Sequence, residues 1–233
     1  MLAPMEVARS GSAQIADEGG GAAAVRPAAW ATNPRVKDPP GAAWDVSDPA
    51  FGRLLLRSLG APRRRFVGNF FVLRYGADGD PAAMLGPYWT MLVFVTWPLT
   101  VLGPSLAAAL WCGRFHVGVR IAYGAVIAAT ALALISVSTR NPGLLRRRDA
   151  APEGDVNWVW NDQAATYKPP GAIYCSWCDA VLLDFDHTCP WTGTGIARGN
   201  MTSFKAFVAC VQVLIYATIA IFVLGAIGVF PRR

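Results

Sequence analysis

Charge is scarce in this chain of 233 residues. Asp, Glu, Lys and Arg together make 15% of it, against 54% hydrophobic residues. About a quarter of an average soluble domain is charged, so this balance excludes an ordinary water-soluble fold. Residues 1–21 lack the basic start and apolar core of a signal peptide. No internal repeat is visible, which excludes a solenoid. Cysteine is limited to Cys112, Cys175, Cys178, Cys189 and Cys210.

Long apolar runs fill the space that charge leaves. Tyr88 to Trp111 carries no charge, and similar runs cover Ile121–Thr139 and Ala206–Phe230. Each reaches the length of about 17–25 residues that crossing hydrocarbon demands. Core helices of that length without charge are uncommon, so all three runs read as transmembrane helices. Pro98 and Pro104 lie inside the first, which is tolerated where neighbouring helices satisfy the freed backbone groups.

The formal charge of +6 says little about nucleic acid, and none is expected as a partner; its distribution says more. Arg63, Arg64 and Arg65 precede the first run, and Arg146, Arg147 and Arg148 follow the second. The loop between those runs holds mainly Arg114, with Arg120 at the next helix start. By the positive-inside rule the N-terminus and residues 140–205 are cytoplasmic. The loop near Gly113 and the C-terminus then lie on the other side. Cys175, Cys178 and Cys189 fall in the cytoplasmic segment, where thiols stay reduced and disulfides are not expected. Cys210 reads as a packing residue of the third span.

The fold class expected is therefore all-α integral membrane. Three transmembrane helices carry a cytoplasmic, irregular cysteine-rich-type domain between helices two and three. Residues 1–60 read as a disordered cytoplasmic tail and 61–86 as a juxtamembrane segment. Residues 87–139 form a transmembrane hairpin, 140–203 the cytoplasmic domain and 204–230 the third helix. Within these, Arg53–Leu59 suits a short helix, and Phe66 to Leu73 looks strand-like or membrane-facing. Gly76–Pro81 and Asn141-Pro142-Gly143 are turn chemistry. Lys168-Pro169-Pro170-Gly171 is irregular.

Two local patterns carry chemistry. Cys175-Ser176-Trp177-Cys178 has the spacing of paired zinc ligands and also of a redox pair. With His187 and Cys189 it could close one Cys3His zinc site; a thioredoxin-like site would need a βαβ context that is absent. The second pattern is Asp186-His187-Thr188-Cys189-Pro190-Trp191, where an orienting carboxylate, a base and a thiol nucleophile fall in one short turn. A nucleophilic thiol beside a membrane points to acyl-chain chemistry.

Here the sequence resembles the Asp-His-His-Cys (DHHC) family of integral-membrane protein S-palmitoyltransferases. Cys175-x2-Cys178-x6-Phe185-Asp186-His187-x-Cys189-Pro190-Trp191 follows the family's cysteine-rich domain in register. Ile196, Arg198, Asn200 and Phe204 continue it. Lys168-Pro169-Pro170 stands where the family has Arg-Pro-Pro-Arg, and Asn141-Pro142-Gly143 resembles its Asp-Pro-Gly motif. Gly68-Asn69 and the turn at Gly76 resemble the region before the first span.

The resemblance implies a protein S-acyltransferase. His187 is its base, Asp186 orients His187, and Cys189 takes palmitate from palmitoyl-coenzyme A before passing it to membrane-proximal cysteines of substrate proteins. The acyl chain would lie between the helices, with Trp191 packed beside the thioester. Arg146, Arg147, Arg148, Arg198 and Lys205 are candidates for the coenzyme A phosphates. The family's usual home is the Golgi or endoplasmic reticulum membrane.

Departures from the pattern matter as much. Family members bind two zinc ions. At the four ligand positions of one site this chain has Asn161, Ala164, Tyr174 and Val181; at the other, Cys175 and Cys178 remain while Thr188 and Gly195 replace the rest. Little or no zinc is expected, because half a ligand shell holds the metal poorly. Aromatic packing from Trp158, Trp160, Tyr174, Trp177 and Phe185 would then hold the domain. The sequence ends at Arg233, before the fourth span and Thr-Thr-x-Glu motif of typical members. That suits a fragment, a truncated product or a bundle completed by an accessory subunit. The competing reading is a catalytically inactive membrane scaffold or a subunit of another acyltransferase.

Overall fold

The computed structural model describes residues 30–32 and 49–227. Three helices dominate it: Trp89–Trp111, Val117–Thr139 and Met201–Ala226, with mean hydropathies of 1.6, 2.0 and 2.5. At 1.5 Å per residue, the shortest spans about 35 Å, enough for a hydrocarbon layer about 30 Å thick. The expected boundaries shift because a helix outruns its uncharged run. The second span begins at Val117, four residues before Ile121, and includes Arg120. Its first turn is capped by His116, whose Nδ1 accepts from the Gly118 N–H at 3.2 Å. The third span begins at Met201 and carries Lys205 in its outer turns; its expected end at Phe230 lies outside the described residues.

The first span is not a regular α-helix. Leu92–Thr96 and Pro98–Leu102 are wound as π-helix. Pro98 cannot donate a backbone hydrogen bond, and the wider winding accommodates that gap. Hydroxyl pairs fasten the second span to the third: Tyr123 to Thr218 at 2.8 Å and Ser136 to Ser203 at 3.0 Å. Such polar contacts join helices where lipid removes the hydrophobic drive to associate.

Outside the spans, the all-α expectation is corrected. Nine short strands occur among the described residues. β1 (Phe66–Val67), β2 (Phe70–Tyr75) and β3 (Pro81–Leu85) form one antiparallel sheet ahead of the first span. Between the second and third spans lie three separate antiparallel hairpins. They are β4 (Val159–Asn161) with β5 (Thr166–Lys168), β6 (Ile173–Cys175) with β7 (Ala180–Leu182), and β8 (His187–Cys189) with β9 (Thr194–Ile196). Each strand has three residues, too few for an alternating pattern to stand out in sequence.

The expected tail over 1–60 lies mostly outside the described residues, at 1–29 and 33–48, but two pieces of it have defined places. Trp30 is buried in the domain core with Val67, Phe70, Met84 and Leu182. Helix α1 (Pro49–Ser58) presses its Gly52 against the Trp89 ring at the head of the first span.

Candidate active site

The β1–β2 turn holds the cysteine pair from outside. Asn69 donates its backbone N–H to the Cys178 carbonyl and its Nδ2 to the Trp177 carbonyl, both at 2.9 Å. Gly68, at φ 56°, lies so close that a Cβ there would sit 2.2 Å from the Asp179 carbonyl oxygen. Only glycine fits that approach. Within the Cys175–Cys178 loop, the Cys178 N–H donates to the Cys175 sulfur at 3.3 Å. A hydrogen bond from the Cys178 thiol, followed by smaller contributions that include the Thr188 hydroxyl, lowers the Cys175 pKa to about 6. Burial pushes the Cys178 thiol up.

Thr188, in the middle of β8, reaches this pair from the other side. Its Oγ1 lies 3.1 Å from the Cys175 sulfur and 4.0 Å from that of Cys178. Opposite Thr188 is Gly195, where a Cβ would meet the Cys178 sulfur at 3.0 Å. Positions 175, 178, 188 and 195 therefore converge on one point, but only two of them bear thiols. Zinc needs a closed shell of four nitrogen, sulfur or carboxylate donors, and these residues do not fit it. The second set fits no better. Ala164 and Val181 are buried together with Ala31 and Leu145, and Tyr174 packs on them. Asn161 turns its Oδ1 to the Ala164 N–H at 2.9 Å. Tyr174 donates its hydroxyl to Asp179 at 2.8 Å. Among the described residues, no three His, Cys, Asp or Glu side chains gather around one point.

Because side chains alternate along a strand, Thr188 on one face leaves His187 and Cys189 together on the other. Asp186 Oδ1 is 2.5 Å from His187 Nδ1, which fixes the ring and leaves Nε2 for proton transfer. The Phe204 ring meets the imidazole edge-on, with centroids 5.3 Å apart. Cys189 is 8% exposed, packed with Leu92 of the first span, Leu134 and Val137 of the second and Phe207 of the third. The thiol thus stands over the heads of all three spans.

Buried Asn200 secures this arrangement. Its Oδ1 accepts from the Ala197 N–H at 3.0 Å, and its Nδ2 donates to the Gly195 carbonyl at 2.9 Å and the Val137 carbonyl at 3.4 Å. Asn141 builds the turn below, accepting from the N–H groups of Gly143 at 2.9 Å and Leu144 at 3.0 Å. The sequence marks both asparagines by motif position, but neither bonding role is legible there.

An apolar groove of about 540 Å³ lies between the first and third spans, and Trp191, two residues after Cys189, lines it beside Thr96, Ala107, Leu214 and Phe222. Trp191 remains 52% exposed.

The arginines named for coenzyme A each have a partner within the domain. Arg146 pairs with Asp80 and lies over the Trp30 ring. Arg147 donates to the carbonyls of Thr32 at 2.8 Å and Ala164 at 3.3 Å. Arg148 stacks over Trp158, and Arg198 forms a forked pair with Asp184 at 2.7 and 3.1 Å. That pair holds the Asp184 carboxyl below its usual range. Lys205 is exposed next to Phe204. The arginines thus each make a contact within the domain.

Residues 157–231 match the family model of the DHHC palmitoyltransferases. Among curated relatives, the chain is 32% identical over 91 residues to "Probable protein S-acyltransferase 3" of Arabidopsis thaliana, covering 36% of this chain and 22% of that protein. It is 40% identical over 72 residues to "Probable protein S-acyltransferase 1" of the same plant, covering 30% and 21%. To "Palmitoyltransferase ZDHHC5-A" of Danio rerio it is 40% identical over 52 residues, covering 22% and 7%. The chain thus spans under a third of the length of the curated relatives it matches.

Proposed function

Because residues 157–231 carry the domain of the DHHC palmitoyltransferase family, we propose that this multi-pass membrane protein is a protein S-acyltransferase. It moves palmitate from palmitoyl-coenzyme A, through an acyl-enzyme on Cys189, to cysteine thiols of substrate proteins. The observation that carries this reading is a base and a thiol on one strand face above an apolar groove. His187 and Cys189 share that face of β8, Asp186 bonds His187, and the groove opens between the first and third spans.

In the first half-reaction His187 Nε2 takes the Cys189 thiol proton, directly or through one water. The thiolate sulfur bonds to the thioester carbonyl carbon, and the bond from that carbon to the coenzyme A sulfur breaks. Coenzyme A leaves as a thiol with the proton from His187. In the second half-reaction a substrate thiol gives its proton to His187 and attacks the Cys189 thioester. The acyl group moves to the new sulfur, and the proton returns to Cys189. Each methylene of the chain buried in the groove contributes about 0.8 kcal/mol.

The site faces the cytoplasm in this reading, which the arginines flanking the spans support by the positive-inside rule. The Golgi or endoplasmic reticulum is the organelle to examine first. The domain folds without zinc, its two ligand sets replaced by the Cys175–Cys178–Thr188 contacts and the packing around Ala164 and Val181. A further subunit would pack on the outer faces of the spans.

Labelling with alkyne-palmitate tests the reading. Hydroxylamine-sensitive label on the wild type that is lost in Cys189→Ser supports the acyl-enzyme. No label on either protein overturns it in favour of a scaffold.

A further inference from the structure

Across the β8–β9 hairpin, Cys189 pairs directly with Thr194. Side chains of such a pair share a face, with Cβ atoms about 5 Å apart. Thr194 is fully buried, and its Oγ1 has no hydrogen-bond partner. Among the described residues, Thr96 is the other buried hydroxyl without a partner. It lies one helical turn beyond Leu92 and lines the apolar groove. An unpartnered buried hydroxyl has lost its water without a replacement, a cost that a folded protein has reason to avoid. Thr194 is held in place nonetheless. Gly86, just before the first span, comes so close that a Cβ there would lie 2.7 Å from both Cα and Cβ of Thr194. The Tyr88 N–H donates to the Gly193 carbonyl at 3.1 Å. The hairpin is clamped to the head of the first span, with a free O–H kept beside the nucleophile in an apolar setting.

We propose that the Thr194 hydroxyl donates a hydrogen bond to the thioester oxygen during acyl transfer, making it a catalytic residue of the site. This rests on the acyltransferase reading. When the Cys189 thiolate bonds to the carbonyl carbon, the carbonyl π pair moves onto oxygen. Thr194 donates to that oxyanion without giving up its proton. As the C=O bond re-forms, the carbon–sulfur bond to coenzyme A breaks, and the leaving thiolate takes the proton held by His187. A donor placed in advance in a water-poor site stabilises the developing charge with little reorganisation. The orphaned hydroxyl of the resting protein is then satisfied when the carbonyl arrives.

The test measures single-turnover acylation of the full chain in lipid nanodiscs with palmitoyl-coenzyme A, for wild type, Thr194→Val and Thr194→Ser. Alkylation of Cys189 by iodoacetamide, which forms no oxyanion, is followed in parallel. Thr194→Val should slow acylation by about 100-fold, in the range for losing one oxyanion donor. Its alkylation rate should stay at the wild-type value. Thr194→Ser, which keeps the hydroxyl, should retain most of the acylation rate. Wild-type acylation in Thr194→Val overturns the role of Thr194 alone. So does an equal loss in both variants, or a parallel fall in alkylation, because each marks a packing role. A wild type that is alkylated at Cys189 but never acylated overturns the acyltransferase reading, and this proposal with it.

Discussion

Cys189 and His187 share one face of β8, and Thr188 turns to the other, where it meets Cys175 and Cys178. This division predicts different outcomes for neighbouring substitutions. His187→Ala removes the proposed base and should lower Cys189 acylation by about 10²–10⁴-fold, measured as single-turnover labelling. Asp186→Asn keeps the ring near its place but weakens its orientation, so the loss should be smaller. Thr188→Val removes a hydroxyl from the opposite face and should cost about 1 kcal/mol in thermal or denaturant unfolding. Its acylation rate, corrected for folded protein, should change little. The sequence made Asp186, His187 and Cys189 legible because three reactive residue types fall within four positions. Thr194 was not legible, because an isolated threonine announces nothing until the hairpin register sets it opposite Cys189. Arg146, Arg147 and Arg198 are conspicuous in sequence, but the local contacts they make with Asp80, Thr32 and Asp184 are not legible there.

At the scale of elements, the spans were readable from length and apolarity, and the strand-like pattern from Phe66 to Leu73 falls on β1 and β2, whereas the strands after the second span were too short to show a period. The three hairpins between the second and third spans follow instead from tight turns and cross-chain anchors. One anchor is the β1–β2 turn, which grips the Cys175–Cys178 loop from 108 positions away in the bond between Asn69 and Trp177. No local pattern encodes a contact that distant. Gly68→Ala should destabilise the protein by more than about 1 kcal/mol, because its positive φ and its contact with the Asp179 carbonyl both oppose a side chain. Thermal unfolding followed by tryptophan emission would measure it. The same measurement tests metal independence. A zinc chelator should leave the midpoint unchanged, since positions 161, 164, 174 and 181 offer no thiol or imidazole and Thr188 and Gly195 leave the other set half empty. A chelator-induced fall of several degrees would show that the two thiols recruit metal in another way.

The whole molecule sets a buried thiol over three helix heads, two residues before Trp191, which lines a groove between two of the helices. The apolar runs foretold the helices but not the groove, which depends on how the first and third spans diverge beside Trp191. Its shape makes a prediction about acyl length. Ala107 lines the groove on the first span, well below Thr96, and a phenylalanine there would fill space without touching the residues around Cys189. With each methylene worth about 0.8 kcal/mol, excluding four of them would forfeit about 3 kcal/mol, or roughly 100-fold in affinity. Ala107→Phe should therefore weaken acylation from palmitoyl-coenzyme A by up to that factor. Octanoyl-coenzyme A, whose chain ends higher in the groove, should be used as well as by the wild type. Competition between the two donors on one preparation measures the ratio without depending on the active fraction. A proportionate loss with both donors would mean that the bulky ring disturbed the spans themselves. An unchanged ratio at full activity would mean that the chain lies elsewhere. A selective loss of the long donor would tie the groove to the thiol, because a substitution about four helical turns from Leu92 reaches the reaction only through the length of the chain that must pass it.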